Sequence, residues 1–113
     1  MPINGDQALK SLDGNLGLLK ELAAIFADDS PQLLDEFESA VADQNVANAR
    51  LAAHSLKGLT STFYASPEVE KIATIEQAAA EGNWNTINDA TQSLRQIVDE
   101  LLVEMRNANW LPN

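Results

Sequence analysis

Apolar residues recur along this chain at the three-and-four spacing of helix faces, in segment after segment. A short helix is predicted over residues 6–12, followed by a turn at Asp13-Gly14-Asn15. Leu16, Leu19, Leu22, Ala23 and Phe26 line one face of a first long helix, which Asp28-Asp29 is expected to end. Ser30-Pro31 reads as a cap residue followed by proline at the first helical position, and so as a new start. Leu33, Leu34, Phe37, Ala40 and Val41 form the next apolar face, up to a turn at Gln44-Asn45. A helix over residues 46–64 carries Ala49, Ala52, Leu56, Leu59 and Phe63 on its inner side. Ser66-Pro67 repeats the cap-then-proline signal, with Glu68 and Glu70 placed to complement the positive helix end. Val69, Ile72, Ala73, Glu76 and Ala79 follow. Gly82-Asn83 makes the next turn, with Asn83 as cap. Ile87, Ala90, Leu94, Ile97, Leu101 and Met105 then run down the helix expected to be the longest.

No stretch alternates like a half-buried strand. The expected fold is therefore all-α: an antiparallel four-helix bundle with a short additional N-terminal helix covering one end. At 113 residues one domain, spanning 1–113, is expected. The resemblance between Asp43-Gln44-Asn45-Val46 and Glu81-Gly82-Asn83-Trp84 is read as shared turn chemistry, not as a repeat.

The charge narrows the partners. Seventeen acids against seven bases give a net charge of −10, which argues against nucleic acid and against an anionic membrane surface. There is no cysteine, so disulfides, thiolate nucleophiles and cysteine metal sites are excluded. The N-terminus lacks the basic and apolar regions of a signal peptide, and no apolar run approaches the length of a membrane span. A cytoplasmic location is the expectation, and the chain's length and its Met1 favour a free-standing protein.

Against that frame one residue stands out. His54 is the only histidine, and at about 100° per residue it points away from the stripe of its own helix. A neutral imidazole is a nucleophile near neutral pH, and a phosphoryl group on its nitrogen stays labile. Arg50, four residues before it, and Lys57, three after, flank it on the same helix face and offer charge to phosphoryl oxygens. Helical side chains lean toward the N-terminus, so the residue at i+4 covers the patch over residue i. Here that residue is Gly58, which leaves the ring uncovered although glycine costs a helix about 1 kcal/mol relative to alanine. Ser61 keeps the approach small and polar.

Each feature has a plainer reading. A lone surface histidine is usually solvated, Lys57 and Arg50 are ordinary surface charges when taken singly, and helical glycine commonly permits close helix packing. The plainer readings weaken when the features share one face. A metal-binding bundle built on Glu-x-x-His from two helices is impossible with one histidine. A nucleotide-hydrolysing enzyme would need a glycine loop that is absent, and Ser55 points elsewhere on the helix than a hydrolase triad requires.

Ala53-His54-Ser55-Leu56-Lys57-Gly58 resembles the core pattern of the histidine-containing phosphotransfer (HPt) domain, Ala-His-x-Leu-Lys-Gly, in full. Residues 18–31 with Leu33-Leu34-Asp35-Glu36-Phe37 resemble the family's helices before that motif, and Ile75-Glu76 with Gly82-Asn83-Trp84 the helix and turn after it. The resemblance implies that His54 is a phospho-acceptor, Lys57 meets the phosphoryl oxygens and Gly58 clears space. It implies a monomeric phosphate carrier rather than an enzyme, shuttling phosphate between receiver-domain aspartates. The expected partners are response-regulator receiver domains and a hybrid sensor histidine kinase, contacted through Arg50, Leu51 and Ser61. No cofactor is expected on this chain, the Mg²⁺ being supplied by the receiver. The alternative is an interaction module that binds a receiver without transferring phosphate. Tyr64 stands where the family usually has glycine, and tyrosine tolerates positive φ poorly, so a differently wound helix end is expected there. Leu59 stands where a small residue is usual.

Overall fold

The computed structural model describes residues 3–112; Met1, Pro2 and Asn113, the ends of the expected 1–113 domain, lie outside it. Five helices follow one another: α1 (Gly5–Ser11), α2 (Leu16–Ala42), α3 (Val46–Ser61), α4 (Ser66–Ala80) and α5 (Trp84–Asn107). No strand occurs among the described residues. Helix α3 packs between α2 and α4, and α5 closes the ring by packing on the same two helices, while α1 lies against α2. Short connections between neighbours enforce antiparallel packing. The result is the all-α four-helix bundle with one short N-terminal helix that the pattern predicts.

The caps explain where these helices begin. Asn4, Asn15, Asn45 and Asn83 each accept a hydrogen bond on Oδ1 from the backbone N–H three residues on, at 3.0 to 3.3 Å, opening α1, α2, α3 and α5. The helix ends are equally regular. Asp13, Gln44 and Gly82 adopt positive φ, and the next N–H reaches back five residues to a helix carbonyl: Gly14 to Leu9, Asn45 to Ala40, Asn83 to Ala78. The two similar turns noted in the sequence therefore share one closing geometry.

The helix boundaries depart from the sequence pattern in several places. Residues 16–42 form a single helix, so Asp28-Asp29 is not a stop and Ser30 is not a cap. The buried series Leu19, Ala23, Phe26, Ser30, Leu34, Phe37 and Ala40 runs unbroken through the proline, and its packing outweighs the missing N–H of Pro31. At 27 residues α2, not α5, is the longest helix. Helix α4 starts with Ala65 as N-cap and no side-chain cap, so Ser66 is a helical residue rather than the cap. Leu16, expected inside, is exposed.

Helix α3 ends at Ser61, before the expected residue 64. Tyr64 adopts a φ of +55°, so the conformation usually given to glycine is kept here by tyrosine, at a cost in strain, rather than rewound. Phe63 beside it is fully buried and holds this end in place. Its ring meets Phe26 edge-on at 5.8 Å and stacks on Trp110 at 6.1 Å, and its carbonyl accepts the N–H of Asn4. Both ends of the chain thus brace the helix that carries His54.

Candidate functional site

Ala49, Ala52, Ala53, Leu56 and Thr60 turn one side of α3 into the core, and Leu59 is half-buried beside them. That leaves His54 on the outer side near mid-helix, its side chain 63% exposed, as the periodicity requires. A ring so exposed needs a polar partner to orient it. Helix α4 supplies it: Glu76 Oε2 lies 3.1 Å from His54 Nδ1. A carboxylate accepts, so Nδ1 carries the proton and donates, which leaves the lone pair of the neutral ring on Nε2.

Glu76 makes a second contact. Its Oε1 lies 2.7 Å from Lys57 Nζ. The carboxylate is mostly buried, at 18% exposure, and a buried carboxylate needs such a partner. The Lys57 ammonium holds its pKa below the ordinary 4.5, helped by the His54 hydrogen bond and opposed by burial. Lys57, Glu76 and His54 therefore form one chain of contacts across the α3–α4 groove.

Gly58 is exposed, and a Cβ added to it would find no atom within 4 Å beyond its chain neighbours and the backbone of its own helix. Close helix packing therefore does not explain this glycine, and the open space above it agrees with the access reading. Ser61 is exposed, and its hydroxyl donates to the Gly58 carbonyl at 2.8 Å, turned onto its own helix. Leu51 is 63% exposed and forms a ridge between two grooves: one with Arg50, His54 and Glu76, the other between α2 and α3 with Leu33 and Ser55. Arg50 is exposed and lines the first groove.

The six residues singled out in the sequence thus all lie on α3, and His54, Arg50 and Leu51 share one groove. Glu76 is the functional candidate that spacing along α3 does not reach. It falls in the apolar stripe of α4, and an acid at a stripe position is the signal that points to it. Among the described residues no cluster of histidines and carboxylates is arranged to hold a metal ion, and no helix is long and apolar enough to cross a membrane.

The family model of the Hpt domain matches residues 21–106, which takes in α3, α4 and nearly all of α2 and α5. The chain belongs to the Hpt domain family, whose members serve histidine phosphotransfer in two-component systems, with receiver domains and kinases as partners. Neither curated proteins nor solved structures gave a match.

Proposed function

We propose that this chain is a phosphate carrier of a two-component phosphorelay, holding a phosphoryl group on His54 between receiver-domain aspartates. The observation that carries this reading is the orientation of an exposed imidazole by Glu76, with Nε2 left as the nucleophile. Transfer onto the chain is an attack by the Nε2 lone pair on the phosphorus of an aspartyl phosphate. The N–P bond forms, the bond from phosphorus to the aspartate oxygen breaks, and the electron pair leaves with the aspartate carboxylate. The ring keeps its Nδ1 proton and gains positive charge, which the Glu76 carboxylate faces. Reversal passes the group to a second receiver.

Each neighbour has a part. Glu76 orients the ring, Lys57 pairs with Glu76 and offers charge to the phosphoryl oxygens, and Gly58 leaves the approach open to a partner's loops. Leu51, Arg50 and Ser61 lie where a docked receiver would touch. The receiver brings the aspartate and its Mg²⁺; the carrier contributes no metal. A monomer suffices, since the carrier's whole contribution lies on α3 and α4 of one chain. A cytoplasmic location fits partners of this class.

The test is transfer from a receiver domain carrying labelled aspartyl phosphate. Label that appears on this chain, acid-labile and base-stable, supports carriage. A receiver that binds the chain and keeps its label would favour a non-transferring interaction module.

A further inference from the structure

Leu51 stands exposed between two grooves that differ in charge. The groove on the His54 side is lined by Arg50, with Glu76 as its one acid. The other groove runs between α2 and α3, and its lining holds no base. Its floor is apolar, made by Leu33, Ala40, Ala52 and, toward the end of α3, Leu59. The half-buried side chain of Leu59 thus extends a floor that a small residue would leave short.

Three acids edge that floor in one row on α2. Asp29, Glu36 and Asp43 recur every seven residues, so each step drifts only about 20° around the helix and rises about 10 Å along it. Asp43 is the C-cap of α2, still in helical conformation, and continues the row. All three are exposed, and none forms an ion pair among the described residues. Asp35, on the same lining, is by contrast held by Arg95 at 3.6 Å. The last turn of α2 carries no base, so the negative end of its dipole adds to the field at Asp43. Exposed acids on a chain of net charge −10 ordinarily serve solubility alone. This row differs in edging an apolar floor that reaches Ser55, the neighbour of His54.

An apolar floor with a negative rim is selective about what covers it. A second copy of this chain would set one acidic row against another. A receiver that reaches His54 brings an aspartyl phosphate, and a carrier this acidic needs local attraction to hold it. The row is about 21 Å long, room for a helix of about four turns laid along the groove.

On the phosphotransfer reading, we infer that the α2–α3 groove chooses among receivers by charge. It takes a receiver helix whose apolar side chains seat on Leu33 and Leu59 and whose lysines or arginines, two turns apart, face Asp29, Glu36 and Asp43. Exposed ion pairs of this kind act mainly on the rate of encounter and on the rejection of wrong partners.

The test measures transfer from a panel of phosphorylated receiver domains of the same organism. Three carriers are compared, with thermal melting to confirm folding. They are wild type, the triple variant Asp29→Asn/Glu36→Gln/Asp43→Asn, and the control triple Asp89→Asn/Asp99→Asn/Glu100→Gln, which removes equal charge from exposed positions of α5. With the receiver that serves wild type fastest, the α2 triple should transfer about 10-fold more slowly at low salt, and the gap should close at high salt. The control should stay within about twofold of wild type. Glu36→Lys should be slower still, and should regain rate when a lysine or arginine of the receiver helix is changed to glutamate. Equal slowing in both triples, no slowing in the α2 triple, or a gap indifferent to salt overturns the inference and leaves the carrier reading standing. A wild-type dimer that Leu51→Glu dissociates would assign the groove to a second copy, with the same consequence. A wild type that accepts phosphate from no receiver overturns both.

Discussion

Glu76 on α4 accepts a hydrogen bond from Nδ1 of His54 on α3 across 3.1 Å, joining residues 22 apart in sequence. The same carboxylate is in contact with Lys57 at 2.7 Å. The pair gives the site a direction: one nitrogen of an exposed imidazole is held and the other makes no hydrogen bond among the described residues.

The depressed pKa of Glu76 makes stability depend on acidity. In the folded chain its carboxyl titrates below 4.5; in the unfolded chain it returns to that value. Between the two values the unfolded state binds more protons, so the stability the carboxylate contributes is complete above 4.5. It is lost as pH falls through the lower, folded value. Glu76→Gln should therefore be less stable than wild type at neutral pH, and the gap should close in acid. Urea denaturation of both proteins at a series of pH values measures this. A gap that stays constant into acid would show that the Lys57 and His54 contacts do not stabilise the ionised form.

Gly58→Ala should stabilise the domain by up to about 1 kcal/mol, because alanine is the better helix former. The new methyl meets open space. It also lies more than 4 Å from the His54 side chain, so alanine alone leaves the ring uncovered. Any loss of transfer in that variant comes from a clash with the partner, and Gly58→Gln should lose far more. Thermal melting together with a transfer assay decides. A destabilised alanine variant, or a glutamine variant that transfers normally, contradicts the access role.

Ser30 is fully buried on α2, and its hydroxyl has no hydrogen-bond partner among the described residues. Ser30→Ala removes the unsatisfied group and improves helix propensity, and should stabilise by about 1 kcal/mol. For a domain of this size that raises Tm by roughly 4 °C. A fall in Tm would mean that the hydroxyl is satisfied in solution.

The same serine shows why part of the fold was hidden. The stripe that binds α2 together passes through Phe26, Ser30 and Leu34, and its middle member is polar. With Pro31 next to it, Ser30 carries every local sign of a helix start, and only burial against the rest of the bundle decides otherwise. Ser66 misled in a similar way, being followed by proline one position inside the helix. Elsewhere the pattern was sufficient. The stripes of α3 and α5 fall where periodicity puts them, and the turns at Asn45 and Asn83 carry their own chemistry in the cap residues.

The site divides along the same line. His54, Arg50, Lys57 and Gly58 sit on one helix, so spacing alone places them relative to one another. Glu76 belongs to another helix, and its contact depends on how α4 lies against α3. Tyr64 is a third kind of case. Its sequence advised against positive φ, yet the buried neighbours Phe63 and Ala65 require the chain to turn there, and the backbone accepts the strain.

His54 itself should carry the phosphoryl group, and the comparison that decides it is wild type against His54→Gln. Both are incubated with a receiver domain bearing labelled aspartyl phosphate, and the label on this chain is located by mass spectrometry. The side chain is exposed and Lys57 still pairs with Glu76, so His54→Gln should stay folded, at a cost of about 1 kcal/mol for the lost hydrogen bond to Glu76. Wild type should carry an acid-labile label on His54, and the variant none anywhere. Label that persists on folded His54→Gln, or that maps to another residue of the wild type, would contradict carriage on His54.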